Sequence, residues 1–162
     1  MRLLGMVVAV LCLVGSASGE TEYDPLVVVN PVPAVVRTAD EAALISDVNI
    51  VRIRHGIPTL RTDSRLTEVA LSHAENMAAR RFFGHTGPDG VDLPARLARA
   101  GLQWTVAAEN IALDSDEAHA NNALVNSSEH LANILDPRVR KIGVAALGVG
   151  HQATLYVEDF AL

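Results

Sequence analysis

The sequence predicts an α+β domain in which helices come first and strands follow. Apolar residues recur at helical spacing through the middle of the chain, whereas its end holds two runs rich in β-branched and aromatic residues, KIGVAALGVG and QATLYVEDFAL. Because helices and strands do not alternate regularly, we expect a layered α+β fold and not a doubly wound sheet. A chain of 162 residues is long enough for one such domain.

The first 19 residues have the pattern of a secretory signal peptide. Arg2 supplies a positive charge, an apolar stretch runs from Leu3 to Val14, and small residues follow as far as Gly19. We therefore expect residues 1–19 to be removed and the mature chain to begin near Glu20. A segment retained as a membrane anchor is the alternative; once it is cleaved, no stable membrane span is expected.

The cysteine content and the charge limit the expected chemistry. Cys12 is the only cysteine and lies in the signal segment, so the expected mature chain has no disulfide and no thiol ligand or nucleophile. A lipid anchor on Cys12 is a further alternative, although Leu11 occupies the place where a small residue is usual. Without Arg2 there are 12 basic and 19 acidic side chains, which disfavours nucleic acid as a partner.

Residues 20–38 are expected to form a proline-rich linker or arm, and residues 39–162 the organised domain. Pro25, Pro31 and Pro33 interrupt the apolar residues of this segment and prevent a regular helix or a central strand.

Two amphipathic helices are predicted at the start of the domain. Asp40 is expected to cap the first, whose apolar stripe of Leu44, Val48 and Val51 ends before Gly56 and Pro58. The second is expected to open at Asp63 or Ser64 and to run to Ala79. Its apolar stripe is Leu66, Ala70, His73 and Met77, so His73 is expected to be a buried, hydrogen-bonded histidine and not a ligand.

Two further helices are predicted before the final strands. Asp92, Pro94 and Gly101 mark the start and the end of a short helix, VDLPARLARAG. Its two arginines, Arg96 and Arg99, are expected to face solvent. A helix is expected over residues 114–126, and the segment AENIA before it is expected to be a strand. The last two runs, separated by glycines, are expected to pair as adjacent antiparallel strands.

Polar residues interrupt apolar or glycine-bounded surroundings at four places. These are His85 in FFGHTG, Glu109 in AENIA, His119 in EAHAN, and the pair Glu129 and His130 in NSSEHLANIL. A carboxylate among apolar neighbours is costly unless it is paired, so Glu109 in particular is expected to have a partner.

An ordered series of segments resembles the CAP superfamily, which includes cysteine-rich secretory proteins, antigen 5 and pathogenesis-related proteins. The segments are VNIVR, GIPTL, DSRLTEVALSHAENMA, FFGHT, AENIA and SSEHLANIL, in this order between about Asp40 and Phe160. The resemblance implies an α-β-α sandwich with a central antiparallel sheet between helices, and an open cleft lined by histidines and glutamates.

Carried over by position, the resemblance places the cleft residues of the family on His85, Glu109 and His130. Animal and plant members have a further glutamate in a W-x-x-E segment, and here Leu124 and Ser127 occupy the tryptophan and glutamate places. Ser127 and His130 are similar to the bacterial pattern W-x-x-S-x-G-H-R, but Glu129 stands where that pattern has glycine. Glu129 thereby adds a carboxylate to the expected cleft.

Two imidazoles and a carboxylate are the ligands that zinc or a similar divalent ion accepts, with a position left open for water. His85, Glu109 and His130 are therefore a candidate metal site, and Ser127 and Glu129 are candidate cleft residues. A purely structural role is the alternative, because a charged histidine–carboxylate hydrogen bond stabilises a fold by about 1.5–3 kcal/mol.

The favoured function is a secreted or cell-envelope, non-enzymatic binding or interaction module of the SCP-like type. Its expected partner is a small apolar ligand or an extracellular protein. A metal-dependent hydrolase with Glu109 or Glu129 as general base is one alternative, and an envelope-associated structural domain is the other. No catalytic residue is assigned, because no G-x-S-x-G segment or oriented nucleophile is present.

Overall fold

The computed structural model describes residues 34–150 and 152–162, so the signal segment, Cys12 and most of the expected arm lie outside the described residues. Within them the chain forms five helices and five strands. In chain order these are β1 (Val35–Val36), α1 (Thr38–Arg54), β2 (Arg61–Thr62), α2 (Ser64–Arg80), α3 (Leu93–Arg99), β3 (Ala107–Asp114), α4 (Glu117–Asn126), α5 (Ser128–Ile134), β4 (Lys141–Val149) and β5 (Ala153–Ala161).

The strands form one sheet with the order β1-β4-β5-β3. Neighbours in this order pair antiparallel, and the two-residue strand β2 adds a parallel pairing to β4. The expected pairing of the two final runs is confirmed: β4 and β5 are adjacent and antiparallel over their whole length, from Lys141 opposite Ala161 to Val149 opposite Ala153. β3 is the outer strand on the other side of β5.

Helices cover both faces of this sheet, so the predicted α-β-α sandwich is confirmed. Because side chains alternate along a strand, Val144 and Tyr156 face one side, where α1, α4 and α5 pack on them. Ala145 and Val157 face the other side, where α2 packs, and α3 joins α2 in a smaller apolar cluster. No helix in residues 34–150 or 152–162 has the length and apolar character needed to span a membrane.

The predicted helix boundaries hold for α2 and α3. The Asp63 carboxylate accepts a hydrogen bond from the Arg65 amide at the start of α2 (3.0 Å), and the Asp92 carboxylate accepts one from the Ala95 amide at the start of α3 (2.9 Å). Such caps satisfy amide groups that have no partner inside the helix.

Three boundaries differ from the prediction. Asp40 does not cap α1: the cap position is Arg37, and Asp40 lies in the first turn, where a carboxylate favours the positive end of the helix dipole. Asp114 is not helical, because β3 stays paired with β5 as far as Asp114 opposite Thr154, and Asp116 caps α4 instead. Strand β1 lies within the segment expected to be an arm, since the edge of β4 offers it backbone partners.

A buried arginine, Arg52, connects the end of α1 to the end of α5. Its guanidinium is fully buried and donates to the carbonyl oxygens of Pro58 (2.7 Å), Ile134 (2.7 Å) and Asp136 (3.1 Å). Burial, and then the charge of Arg140, lower the pKa of Arg52, while Asp136 opposes this shift. Arg52 therefore supplies a donor that the last carbonyl of α5 lacks within its own helix, and it bonds a second carbonyl just after that helix.

Replacing Arg52 with methionine is expected to lower the free energy of unfolding by about 3 kcal/mol, because one buried and two partly buried carbonyls lose their donor. Urea denaturation followed by circular dichroism measures the change. Arg54→Met, two residues further along at an exposed position, is the control and should stay within about 0.5 kcal/mol of the wild type. Equal effects of the two substitutions would contradict the role of Arg52.

The backbone of α2 lies directly on β4 at Gly143. A Cβ atom added there would lie 2.2 Å from both the Leu66 carbonyl carbon and the Thr67 nitrogen. Only glycine permits this approach, which sets the distance of α2 from the sheet.

Gly143→Ala is therefore expected to destabilise the domain by about 3 kcal/mol, since helix α2 would have to move outward. Gly148→Ala on the same strand is the matched control, because its nearest contact, at 3.0 Å, is the flexible side chain of Arg37. Thermal unfolding of both variants checks this, and a Gly148→Ala loss as large as that of Gly143→Ala would refute it.

Candidate functional site

The candidate site is built around Glu109, a buried carboxylate in the outer strand β3. Its Oε1 accepts a hydrogen bond from Nδ1 of His85 at 2.8 Å, and its Oε2 accepts one from Nη2 of Arg96 at 2.5 Å. The expectation that Glu109 has a partner is confirmed, and His85 is one of the two.

The two partners determine the charge of Glu109. Burial by itself raises the pKa of this carboxyl, but the His85 hydrogen bond and the positive charge of Arg96 outweigh burial, so the pKa of Glu109 lies below its usual value. Glu109 is therefore ionised at neutral pH and forms a buried ion pair with Arg96.

His85 is held firmly although its ring is exposed. Its Nδ1 is bonded to Glu109, and its backbone carbonyl accepts a hydrogen bond from Nη1 of Arg96 at 2.9 Å. About half of the side chain is exposed (51%). Within residues 34–150 and 152–162, only its Nδ1 has a partner, so the ring presents Nε2 for contacts outside the chain.

His73 is a buried histidine of α2, as the sequence predicts. Its Nε2 donates to the Gly84 carbonyl at 3.0 Å and lies 3.9 Å from Oε2 of Glu109. Burial lowers the pKa of His73 more than Glu109 raises it, so the ring is neutral at neutral pH. His73 thus supports the loop that carries His85.

His130 lies on α5 and approaches this group without bonding to Glu109. Burial lowers its pKa, His85 lowers it further, and Glu129 opposes the shift. His130 is therefore an electrostatic neighbour of His85. Its backbone carbonyl accepts a hydrogen bond from Nδ2 of Asn110, the residue after Glu109 in β3 (3.2 Å).

A second amide, Asn133, also fixes α5 to β3. Its Nδ2 donates to the Glu109 backbone carbonyl at 3.3 Å and to Oδ1 of Asn110 at 2.9 Å. The structure thus brings His85 and Glu109 into direct contact, and it brings His130 near them through α5.

The other two expected cleft residues lie at the start of α5. Ser127 forms the junction of α4 and α5, and its side chain makes no capping hydrogen bond. Glu129 is exposed in the first turn of α5, where its charge acts on His130. Neither side chain is hydrogen-bonded to His85 or Glu109 in the part of the chain that the structure describes. Leu124, in the tryptophan place, is buried in the core.

The expected metal ligands do not converge in this arrangement. In the described ranges, no three or more histidine, cysteine, aspartate or glutamate side chains are placed to hold a metal ion. Both oxygens of Glu109 have donors, and the permanent charge of Arg96 opposes a divalent cation at that carboxylate. Glu109 does not fit as a direct ligand, whereas the imidazoles of His85 and His130 remain available; a metal site stays a prediction.

Arg96 is the site residue that sequence reasoning missed. We expected it to face solvent, but its side chain is only 10% exposed and pairs with Glu109. The correction has a structural cause: α3 packs on α2 through Leu93 and Leu97, and this turns Arg96 toward β3. Arg99, one turn later, is exposed as expected.

Two further acidic residues of the site region were not singled out by the sequence. Asp159 lies opposite Glu109 in the β3–β5 register and is fully buried. Burial, and then the charge of Glu109, raise the pKa of Asp159 well above its usual value, so both favour its neutral form. Glu158, its neighbour in β5, is fully buried on the opposite face. The sequence signal that could have identified them is the pair of consecutive acids, Glu158 and Asp159, in the otherwise apolar run of β5.

A groove of about 660 Å³ lies between α2 and α3, next to Arg96 and His73. Its lining is mixed: Glu68, Glu75 and Asp89 supply carboxylates, and Arg99 supplies a further guanidinium. The site is therefore an ion-paired centre with an exposed imidazole beside an open, charged groove.

A family model matches most of the chain. Residues 45–160 match the model described as "CAP: Cysteine-rich secretory protein family". This range includes His85, Arg96, Glu109 and His130.

Two curated relatives from Bacillus subtilis (strain 168) are similar to this chain. "Uncharacterized membrane protein YlbC" is 29% identical over 126 residues, covering 77% of this chain and 35% of the relative. "Uncharacterized protein YkwD" is 27% identical over 124 residues, covering 76% of this chain and 47% of the relative. The chain thus spans between a third and a half of the length of these relatives.

Solved structures share the fold. An extracellular protein containing a SCP domain from Bacillus anthracis str. Ames has a TM-score of 0.69 and 30% identity, over 76% of this chain and 40% of that one. An outer surface protein from Borrelia burgdorferi has a TM-score of 0.74 and 22% identity, over 80% of this chain and 96% of that one. Because the family model covers most of the chain, the chain belongs to the cysteine-rich secretory protein (CAP) family.

Proposed function

We propose that this domain is an extracellular binding module whose recognition surface consists of the exposed face of His85 and the neighbouring groove between α2 and α3. The observation that carries the proposal is that both oxygens of Glu109 accept hydrogen bonds, one from His85 and one from Arg96. The exposed imidazole of His85 is thereby held in one orientation. A pre-oriented polar group binds a partner at a lower entropic cost than a mobile one.

The lowered pKa of Glu109 argues against the hydrolase alternative. A general base needs a pKa near the working pH and access to the proton that it removes. Glu109 is a weaker base than an ordinary glutamate, and both of its oxygens already accept hydrogen bonds. We therefore do not extend the proposal to hydrolysis.

The character of the groove favours a polar partner. Carboxylates of Glu68, Glu75 and Asp89 and guanidiniums of Arg96 and Arg99 border it, and charged groups lose their hydration if an apolar ligand covers them. We propose an extracellular protein segment as the partner, and a small apolar ligand stays a prediction. The extracellular location is supported by the expected signal segment and by the B. anthracis relative, which is described as extracellular.

A random peptide library displayed on phage tests the proposal with a defined probe. Peptides selected on the domain are expected to bind the wild type and to bind His85→Ala at least about tenfold more weakly, since a hot-spot side chain contributes about 2 kcal/mol or more. Arg138→Ala, an exposed change on the segment before β4, is the control. Failure to select any peptide, or equal binding by His85→Ala, would refute the proposal.

Zinc titration by calorimetry tests the metal prediction separately. Chelator-treated protein is expected to bind Zn²⁺ through His85 and His130 if the prediction is right, and His85→Ala and His130→Ala should each abolish saturable binding. Glu109→Gln distinguishes a direct ligand from a supporting group: a supporting role reduces affinity about 10–100-fold without abolishing it. Absence of binding by the stripped wild type would remove the metal from the cleft.

Replacing Arg96 with methionine is expected to raise the pKa of Glu109, because burial is then opposed by fewer positive charges. In the wild type, ionised Glu109 stabilises the native state above a pH of about 4.5, and this contribution is lost as the pH falls through the lowered pKa. Carbon-detected NMR titration of the Glu109 carboxyl measures the shift. Arg99→Met, on the same helix, should leave the titration unchanged; an equal shift in that control would contradict the prediction.

A further inference from the structure

Glu158 is a buried acid that the binding cleft does not use directly. It lies in β5, fully buried, on the face covered by α1, α4 and α5. Its Oε2 accepts a hydrogen bond from Nδ2 of Asn110 at 3.0 Å. Its Oε1 has no hydrogen-bond partner among the residues that the structure describes.

The charged groups that face Glu158 are acidic. From α4, Glu117 acts on it electrostatically, and Oε1 of Glu117 is itself buried without a partner in the described ranges. From α1, Asp47 and Asp40 act on Glu117 in turn. The ion pairs seen among the described residues join basic side chains to Asp63, Asp89, Glu109, Asp116 and Asp136.

The remaining surroundings of Glu158 are neutral. β3 contributes the Asn110 amide, and β4 contributes Val144, which lies opposite Glu158 in the sheet register. α5 contributes the backbone carbonyl of His130, reached through the same Asn110 amide. A carboxylate in such a place lacks a compensating cation, so the neutral acid is the form that the fold accommodates.

Burial, opposed by Asn110 and reinforced by Glu117, raises the pKa of Glu158 to about 7. Burial, together with Asp47 and Asp40, raises the pKa of Glu117 as well. For a raised pKa, the stabilising contribution is complete below the unfolded value of 4.5 and is lost as the pH rises through the folded value. The contribution of Glu158 to the stability of the domain is therefore largest in acid and falls toward neutral pH.

We propose that Glu158 and Glu117 form a proton-operated latch that holds α4 and α5 on the sheet when both acids are neutral and releases them when Glu158 ionises. Two neutral carboxyls and an amide pack together without repulsion, whereas two carboxylates with buried, unpartnered oxygens on the face that α4 covers repel each other. Release is a local opening of this face: it separates Ala120 and Ile134 from Tyr156, while α2 and its apolar cluster stay packed on the opposite face of the sheet.

The latch is connected to the cleft through Asn110. Its Nδ2 donates both to Oε2 of Glu158 and to the carbonyl of His130, and Asn133 donates to its Oδ1. An ionised Glu158 attracts this amide more strongly and weakens its bond to α5. Regulation of ligand binding by the latch rests on the proposed function. The opening of α4 and α5 does not, because it occurs in the ligand-free domain.

Hydrogen exchange measured by mass spectrometry on the ligand-free domain tests the latch. Protection of peptides covering residues 117–134, corrected for the intrinsic pH dependence of exchange, is expected to fall about tenfold between about pH 5.5 and about pH 8.5, while α2 changes less. Glu158→Gln, which keeps the neutral form at every pH, is expected to retain full protection throughout this range. Glu68→Gln, on the opposite face, is the control and should behave as the wild type.

Two results overturn the latch: a wild type whose α4–α5 protection does not change across this range, or a Glu158→Gln variant that loses protection as the wild type does. Asp159, the other buried acid of β5, is present in both proteins, so their difference isolates Glu158. If Glu158→Gln does not fold, Glu117→Gln provides the comparison. Removing the charge of Glu117 removes its repulsion of Glu158, so release of α4 and α5 is expected at a higher pH than in the wild type. None of these measurements uses a ligand, so failure of the binding proposal leaves their outcome unaffected.

Discussion

The structure depends on how the short helix α5 is held, and the buried guanidinium of Arg52 is the main constraint. A helix of seven residues is not stable alone in water. Arg52 bonds the carbonyls at the end of α5, and the amides of Asn110 and Asn133 bond its other parts to β3. The position of His130 is therefore set mainly by polar contacts along α5, and less by the small apolar contribution of the helix.

The buried acids of the sheet differ in how their charge is compensated. Arg96 is the cation paired with the buried carboxylate Glu109, while Asp159, directly across the strand, lies in a place where burial and the negative charge of Glu109 favour its neutral form. Arg96 thus pairs with one acid of this strand pair, while the surroundings of the other favour its neutral form. Across the sheet, Glu158 has no basic partner in the described residues, which makes its environment chemically different from that of Glu109.

Much of the fold could be predicted from the sequence, because helix periodicity and capping residues such as Asp63 are local signals. The helix expected from Asp114 onward begins later, since strand pairing with a distant residue decides that boundary. The resemblance placed His85 and Glu109 in one site, and the structure brings them into contact. The pairing of Arg96 with Glu109 could not be predicted, because the orientation of Arg96 depends on how α3 packs on α2, which no local pattern encodes. Sequence patterns therefore predicted the elements, and tertiary packing decided which ionisable groups became partners.

Strand β3 lies at the edge of the sheet, and an open edge invites pairing with a strand of another molecule. The backbone carbonyl of Glu109 on this edge is already bonded by the side chain of Asn133. A foreign strand would have to displace that amide, and α5 with it, before it could extend the sheet. The contact that ties α5 to β3 therefore also hinders pairing with a foreign strand at this part of the edge.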